Sequence, residues 1–301
     1  MKKDNAAKYA IPTETPNQAT QDLDRLTPLQ IARKINAEDL NAVKAVKAAE
    51  KAISQTIVRA AETFLAGHKI VFVGAGTSGR LGVLEAAECV PTFGTQPEQI
   101  VGLIAGGQKA VFHAQEGAED KPKQGAKEIT KAAKRGDFVI GLTASGLTPY
   151  VLGALQKAKK FGAHTALMTC NDKADWTNAD IRIFLPTGPE ALCGSTRMKA
   201  GTATKMALNA ITTGAMALCG KMYGNLMVDV RPTNQKLVIR AKKLISTICS
   251  VDDRRAACLL HASGKNVKTA VVMQKLKLTK KQAVKLLEDN GGFLHKVIGG
   301  K

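Results

Sequence analysis

Five short apolar runs, rich in β-branched residues and bounded by turn residues, recur along the middle of the chain. They cover residues 70–73, 100–105, 138–143, 165–169 and 181–185. Helical patterns lie between or after them, over residues 109–118, 149–159 and 197–218. Buried strands that alternate with helices are typical of a parallel sheet with helices on both faces. The pattern therefore predicts an α/β domain that binds its ligands at the carboxyl ends of the strands.

The two ends of the chain show helical patterns without clear strands. Thr27 and Pro28 form a typical helix start, and apolar positions at steps of three and four residues predict one long amphipathic helix over residues 39–65. Beyond Pro232 we expect short helices at 236–249, 252–262 and 279–289, whereas residues 266–275 suit a helix or a strand. The pattern therefore divides the chain into three predicted parts. They are a leader with helices that pack on the core at 1–67, the α/β domain at 68–230, and a small basic helical module at 231–301.

Composition indicates a globular protein without a metal site. Of the 301 residues, 45% are hydrophobic and 23% are charged, which is ordinary for a soluble domain. The basic N-terminus has no apolar run of signal-peptide length, and no stretch reaches ~18 consecutive apolar residues, so we expect a cytoplasmic protein. The six cysteines form no CxxC pair and the five histidines have no ligand spacing, which argues against zinc and disulfides.

The net charge of +19 raises nucleic acid as a partner. Lys and Arg outnumber Asp and Glu by 16 to 4 in residues 231–301, where they mostly interrupt apolar positions at helical spacing. Only three tyrosines and one tryptophan are available to stack on bases. A solvated basic helix face is therefore the favoured interpretation, and binding to nucleic acid is not expected.

The first apolar run ends in a glycine- and hydroxyl-rich turn, GAGTSG, at residues 74–79. Such a turn lets backbone N–H groups approach a phosphate, and the helix that follows adds the positive end of its dipole. The same letters match the G-x-G-x-x-G fingerprint of dinucleotide-binding proteins, which requires an acidic residue about 20 positions further on. Residues 103–107, LIAGG, offer no carboxylate there. The turn therefore predicts a phosphorylated ligand, and a nicotinamide cofactor is disfavoured.

Two further segments combine hydroxyls with a glycine. Residues 143–149, TASGLTP, place three hydroxyls around Gly146 at the end of the third strand, and residues 194–199, GSTRMK, add cations ahead of a long helix. Each could be an ordinary helix cap, because serine and threonine serve that role in many proteins. Hydroxyl-rich turns at the ends of two strands of one parallel sheet are better explained by a shared phosphate monoester.

Glu88 and Glu119 are candidate acid and base residues. Glu88 lies one helical turn before Pro91 among apolar neighbours, so we expect it near the C-terminal end of its helix. The negative dipole end and apolar surroundings both favour the protonated carboxyl that a general acid requires. Glu119 follows the helix after the second strand. From position alone, exposed helix carboxylates without a catalytic role are the commoner interpretation.

The chain resembles the N-acetylmuramic acid 6-phosphate etherases in six segments that occur in order. They are GAGTSGRLGVLEAAEC, GLIAGG, HAQEGAED, TASGLTPYV, GSTRMKAGTATK and GNLMVDV. The resemblance runs from about Thr13 to near the C-terminus. It implies the sugar isomerase (SIS) fold, a three-layer αβα sandwich around a five-stranded parallel sheet, with a small helical C-terminal module. It also implies a homodimer, because SIS domains commonly place their site at a dimer interface.

The resemblance implies a carbon–oxygen lyase of cell-wall amino sugar catabolism or recycling. It would cleave the D-lactyl ether of N-acetylmuramic acid 6-phosphate by elimination and then addition of water, without a metal or another cofactor. By motif, the general acid falls on Glu88 in EAAEC, and the second catalytic glutamate, which we assign as the general base, falls on Glu119 in EGAED. The expected substrate-binding residues are Gly76, Thr77, Ser78, Ser145, Gly146, Thr148, Ser195 and Lys199. Of these, residues 145–148 would hold the phosphate.

Three positions depart from the family pattern, and two other functions stay open. Leu147 replaces the usual arginine near the expected phosphate, Glu85 replaces an aspartate and Val90 replaces a second proline. A phosphosugar-sensing regulatory protein would keep the loops without needing both glutamates. An aldose–ketose phosphosugar isomerase would also remove the C2 proton but would return it to C1. The presence of both Glu88 and Glu119 favours the etherase.

Overall fold

The computed structural model describes residues 11–232 and 234–299. Three short 3-10 helices, Pro12–Glu14, Gln18–Thr20 and Leu23–Arg25, precede the first α-helix. The strands are β1 (Ile70–Gly74), β2 (Ile100–Ile104), β3 (Phe138–Leu142), β4 (His164–Thr169) and β5 (Ile181–Phe184). The helices are α1 (Pro28–Ala48), α2 (Glu50–Leu65), α3 (Gly76–Phe93), α4 (Lys109–Phe112), α5 (Pro122–Ala132), α6 (Pro149–Lys160), α7 (Lys199–Leu218), α8 (Gln235–Cys249), α9 (Asp253–Ala262), α10 (Val267–Leu276), α11 (Lys280–Asp289) and α12 (Leu294–Ile298).

The five strands form one parallel sheet in the order β2-β1-β3-β4-β5, which confirms the predicted sheet. The chain passes from β1 to β2 on one side and then crosses to β3 on the other side of β1. The direction of strand addition therefore reverses between β1 and β3. Open parallel sheets bind ligands at such a reversal, outside the carboxyl ends of the strands. The two turns at 74–79 and 143–149 follow β1 and β3.

The two faces of the sheet pack against different helices. Val71 and Val139 share a buried apolar cluster with side chains of α5 and α6. Phe72 points to the opposite face, because side chains alternate along a strand. There it meets α3, since a Cβ added to Gly82 would lie 2.9 Å from Phe72 Cβ. The core is thus a helix–sheet–helix sandwich, and every residue of β1 and β3 is buried in it.

The glycines of the turn after β1 are explained by close backbone packing. A Cβ on Gly74 would lie 2.6 Å from the Gly79 amide nitrogen, and a Cβ on Gly79 would lie 2.6 Å from Ile104 Cγ1. β1 and the first turn of α3 therefore approach each other more closely than any side chain permits. β2 ends at Ile104, one residue before the predicted end, and Ala105, Gly106 and Gly107 follow it. The ribose-binding carboxylate of a dinucleotide site is therefore missing where that site requires it.

Contacts within the chain define two compact units. The first contains the chain up to Ala87 together with Glu98–Thr212, and it includes the whole sheet. The second contains Glu88–Pro97 and the chain from Thr213 onwards. The division into parts at residues 67 and 230 stays a prediction. Across the described residues, every helix is too short or too polar to span a bilayer.

The second unit has its own apolar core, formed by side chains of α8 to α12 such as Ile245 and Val271. The ammonium of Lys268 is largely buried beside this core and donates to the carboxylate of Asp229 at 2.7 Å and to the carbonyl of Gly292 at 2.9 Å. Burial lowers the pKa of Lys268, while the charge of Asp229 opposes that shift. Residues 266–275, open between helix and strand in the sequence, belong to the helix α10.

Several helices differ from the prediction. The helix predicted over 39–65 is two helices that meet at Ala49, which is a turn residue. The helix predicted over 109–118 ends at Phe112, and α5 and α12 were not predicted. Pro91 does not end α3, which continues to Phe93. Proline has no N–H, so the carbonyl of Ala87, four residues earlier, loses its helical hydrogen bond. Ala87 is exposed, so water can bind that carbonyl.

Candidate active site

The turn after β3 brings three hydroxyls together at the N-terminus of α6. Thr143 Oγ1 shares hydrogen bonds with Thr148 Oγ1 at 2.7 Å and with Ser145 Oγ at 3.2 Å. The backbone N–H of Gly146 donates to Thr143 Oγ1 at 3.2 Å, and that of Leu147 donates to Ser145 Oγ at 3.2 Å. The turn therefore gathers hydroxyl and amide donors around one point, where the helix dipole also favours an anion.

Residues at the end of β4 hold this turn in place. Thr169 Oγ1 donates to the carbonyl of Ala144 at 3.0 Å, and Asn171 Nδ2 donates to the carbonyl of Ser145 at 2.8 Å. Gly146 has a φ of +71°, and a Cβ there would lie 2.3 Å from Ala174 Cβ. Sequence reasoning missed Thr169 and Asn171, because neither belongs to a glycine- or hydroxyl-rich turn. Their contacts hold the backbone of the turn at Ala144 and Ser145.

Glu119 is tied to the same helix end. Its backbone carbonyl accepts a hydrogen bond of 2.9 Å from the N–H of Tyr150, two residues after Thr148. Its side chain is exposed and lines a cavity of about 160 Å³ together with Gly76 and Arg80. The structure thus brings the predicted base, the turn after β1 and the turn after β3 to one edge of the sheet.

Gly76, Thr77 and Ser78 begin α3 at this edge. Gly76 is exposed with a φ of +52°, and a Cβ built on it would meet no atom within 4 Å. The methyl group of Thr77 lies 3.5 Å from the position of a Cβ on Gly201, in the first turn of α7. The N-terminal turns of α3 and α7 therefore lie side by side.

The N-terminus of α7 is already occupied by an internal carboxylate. Glu190 is fully buried and accepts hydrogen bonds from the N–H groups of Lys199 at 3.0 Å and Ala200 at 2.9 Å. Burial raises the pKa of Glu190, although these two amides oppose the shift. Because both amides are used, the end of α7 offers less to a phosphate than the sequence suggests. Ser195, in the loop before it, is half-buried.

Lys199 does not reach the predicted phosphate turn in the structure. Its side chain is 1% exposed, and its ammonium is ion-paired with Glu38 of α1. Asn17 Nδ2 also donates to Glu38, at 2.7 Å. The cation anticipated for the substrate therefore joins α1 to α7, and we leave Lys199 out of the proposed substrate contacts.

Glu88 lies in a different setting from the one expected. It is exposed on α3 and is not at the helix end, because the helix continues through Pro91. The buried carboxylate of this helix is Glu85, which accepts hydrogen bonds of 2.6 Å from Lys205 Nζ and of 2.6 Å from Thr212 Oγ1. Helix α3 therefore does not surround the Glu88 carboxyl with the apolar groups that would keep it protonated.

Arg80 was not among the predicted site residues, yet it lines the cavity that contains Glu119. Arg80 is half-buried, and its Nε donates to the carbonyl of Val111 at 2.9 Å. Leu147, at the position where the family usually has arginine, contributes only its backbone N–H to the turn. No group of three or more His, Cys, Asp or Glu side chains with metal-binding geometry occurs in residues 11–232 and 234–299.

Comparison with known proteins gives consistent matches. The family profile of the glucokinase regulatory protein N-terminal SIS domain matches residues 51–159. The N-acetylmuramic acid 6-phosphate etherase of Oenococcus oeni is 46% identical over 290 residues, covering 96% of this chain and 98% of that protein. The etherase of the same name from Photorhabdus laumondii is 45% identical, with 95% and 96% covered.

Among solved structures, a phosphoheptose isomerase from Francisella tularensis has a TM-score of 0.47 and 16% identity, covering 64% of this chain and 98% of that one. The curated relatives match over nearly the full length of both proteins, and the five-stranded parallel sheet agrees with the matched SIS domain. The chain therefore belongs to the N-acetylmuramic acid 6-phosphate etherase family, carbon–oxygen lyases of the SIS fold.

Proposed function

We propose that this chain cleaves the D-lactyl ether of N-acetylmuramic acid 6-phosphate to give N-acetylglucosamine 6-phosphate and D-lactate. One observation supports this more than any other. The backbone of Glu119 is hydrogen-bonded to the first turn of α6, next to the hydroxyls of residues 143–148. A phosphate site and a carboxylate base therefore adjoin, as a reaction on the carbon chain of a sugar phosphate requires.

The phosphate is held by neutral donors at the N-terminus of α6. Ser145 and Thr148 supply hydroxyl groups, Gly146 holds the backbone between them through its N–H bond to Thr143 Oγ1, and the helix dipole adds attraction for the dianion. Gly76, Thr77, Ser78 and Ser195 lie at the same edge of the sheet and contact the sugar. Because Leu147 replaces the family's arginine, binding of the phosphate depends on hydrogen bonds and the helix dipole rather than on a cation from this turn.

The reaction is an elimination followed by a hydration. In the open-chain sugar the C1 aldehyde acidifies the C2 proton, which the Glu119 carboxylate removes as general base. The electron pair forms a C2–C3 double bond, the C3–O bond breaks, and Glu88 protonates the departing oxygen to give D-lactate. Water then adds its hydroxyl to C3 while a proton returns to C2, which leaves N-acetylglucosamine 6-phosphate. Each proton removed is returned, so no redox cofactor is required.

A homodimer completes this site in the proposal. Twelve residues of α3 separate Glu88 from Gly76, a rise of about 18 Å along the helix axis. Gly76 lines the cavity of Glu119, whereas C2 and C3 of one sugar are bonded neighbours. We therefore propose that Glu88 of the partner subunit protonates the ether oxygen while Glu119 of the first subunit removes the C2 proton.

The proposed setting is cell-wall amino sugar catabolism or peptidoglycan recycling in the cytoplasm. The substrate is a sugar phosphate, a charged molecule that does not cross a bilayer unaided, so the enzyme and its substrate must share a compartment. Cell fractionation, with activity assayed in the cytosolic and envelope fractions, tests the location. Activity recovered only from the envelope would contradict it.

The decisive test is incubation with N-acetylmuramic acid 6-phosphate in deuterated water, followed by NMR. We expect D-lactate release with deuterium at C2 of the sugar product. Formation of a ketose phosphate without lactate would indicate an isomerase. Binding of the sugar phosphate without turnover would indicate a regulatory protein, and either result would overturn the etherase proposal.

A further inference from the structure

Arg80 lines the cavity that contains Glu119. It lies on the second turn of α3, and the hydrogen bond from Nε to the carbonyl of Val111 fixes its direction. Within residues 11–232 and 234–299, no hydrogen bond or ion pair is formed by its two Nη groups. A fixed guanidinium with free N–H groups can bind a carboxylate through two parallel hydrogen bonds.

One cation and two exposed carboxylates line this cavity, and the cation is not paired with either of them. The other ionisable side chains that line it are Glu116 and Glu119, both exposed. Neither of them is ion-paired with Arg80 in the structure. Among the described lining residues Arg80 is therefore the one cation, and it has no carboxylate partner from the protein.

The proposed substrate carries two anions, and the inference rests on that proposed function. The phosphate on C6 is assigned to the turn at 145–148. The second anion is the carboxylate of the D-lactyl group, which is attached through oxygen to C3. Glu119 acts on C2, which is bonded to C3, so the lactyl group must lie beside the Glu119 cavity. We propose that Arg80 binds the lactyl carboxylate and so selects sugar phosphates that carry this ether.

The proposal separates Arg80 from the chemistry at C2. The lactyl carboxylate is charged in the substrate, in the transition state and in released D-lactate. A contact made equally in all of these lowers KM and changes kcat little. Loss of a residue that supported the base or bound the phosphate would instead lower kcat/KM for every substrate that carries the C2 proton and the C6 phosphate.

The test compares three sugar phosphates. They are N-acetylmuramic acid 6-phosphate, its 3-O-ethyl counterpart without the carboxylate, and N-acetylglucosamine 6-phosphate, whose C2 proton exchange is followed by NMR. For Arg80→Met we expect kcat/KM on the first compound to fall by about 10- to 100-fold, mainly through KM, as for the loss of a charged hydrogen bond. Elimination from the ethyl compound and C2 exchange should stay close to wild type. Arg80→Lys should recover part of the loss.

Lys109→Met is the matched control, because Lys109 is an exposed cation on the neighbouring helix α4 and does not line the cavity. It should leave all three reactions unchanged. Equal loss on all three compounds for Arg80→Met would overturn the assignment in favour of a role with the phosphate, the base or the fold. Unchanged KM for N-acetylmuramic acid 6-phosphate would overturn it as well. Absence of D-lactate from the wild-type enzyme would instead overturn the proposed function itself.

Discussion

Glu119 and Glu88 are both exposed carboxylates, so burial does not distinguish the proposed base from the proposed acid. The surroundings of the two glutamates distinguish them. The backbone of Glu119 is hydrogen-bonded beside the hydroxyl turn, while Glu88 lies further along α3. We therefore expect Glu119→Gln to lose C2 exchange and lactate release together, by about 100-fold or more. Glu88→Gln should lose lactate release yet keep C2 exchange, because proton removal does not need the acid.

Glu116→Gln is the control for these variants, since Glu116 is exposed and lines the same cavity as Glu119. It should keep both reactions. Both rates are measured in deuterated water by NMR on one sample. Loss of exchange in Glu88→Gln, with exchange intact in Glu119→Gln, would reverse the two roles.

Substitution of Gly146 tests whether the turn at 143–149, the proposed phosphate site, must keep its position. Gly146→Ala places a Cβ 2.3 Å from Ala174 Cβ at a φ of +71°, so the turn must move. A displacement of this size at a positioning group lowers kcat/KM by about 100-fold. Gly188→Ala is the control, because Gly188 has a φ of +69° with nothing within 4 Å. Both variants carry the strain of a positive φ, ~1–2 kcal/mol, but only Gly146→Ala should lose activity. Equal activity in the two variants would show that the turn does not hold the phosphate.

At the scale of elements, the ion pair between Lys199 and Glu38 joins α7 to α1. Burial alone would raise the pKa of Glu38, but hydrogen bonds from Lys199 and Asn17 outweigh it and hold this pKa below its ordinary value. Lys199→Met leaves the Glu38 carboxylate without its cation. Breaking one side of a largely buried pair should cost about 3 kcal/mol of unfolding free energy at pH 7.

The contribution of this ion pair to stability depends on pH. A lowered carboxyl pKa stabilises the fold above the unfolded value, near 4.5, and that contribution is lost as pH falls through the folded pKa. The difference between wild type and Lys199→Met should therefore shrink in acid, as urea unfolding at several pH values can measure. Lys34→Met is the control, because Lys34 pairs with Asp22 where both side chains are far more exposed than those of Lys199 and Glu38. It should stay close to wild type at every pH, whereas a cost as large as that of Lys199→Met would contradict the explanation.

The strands could be predicted from the sequence to within one residue because each is a short apolar run, and β1 and β3 are buried throughout. Continuous β-branched runs bounded by turn residues have few other interpretations. The helices were harder to predict. Residues 113–118 continue a helical pattern, yet Gly117 takes a φ of +68° and the chain forms the loop of the Glu119 cavity. Tertiary contacts, rather than local preference, decide that stretch.

The candidate site could be predicted as a set of turns but not as a set of contacts. The hydroxyl turn stands out by spacing and Glu119 by the family resemblance, and the structure brings them together. Lys199 also stands out, beside Ser195 and Thr196, yet its partner Glu38 lies 161 positions earlier in the chain. No local pattern records such a pairing. Asn171 supports the turn from β4 for the same reason, through a contact that only the folded sheet creates.

At the scale of the whole molecule, one subunit does not provide both glutamates for one sugar under the proposed mechanism. The rise of α3 places Glu88 about 18 Å from Gly76 along the axis. A dimer with twofold symmetry brings the two glutamates together, because each subunit then gives its acid to the partner's site and receives one in return. The arrangement makes two sites that each combine both chains.

Mixed dimers test this arrangement directly. Glu88→Gln and Glu119→Gln chains, carrying different tags, are co-expressed, and the heterodimer is purified on both tags. One of its sites then lacks both glutamates, while the other combines the intact Glu119 of one chain with the intact Glu88 of the other. We expect about half the wild-type activity per dimer from two inactive chains. The separate variant homodimers, mixed after purification, serve as the control. A heterodimer without activity, or a fully active monomer in sedimentation experiments, would mean that each chain completes its own site, because complementation requires both chains at one substrate.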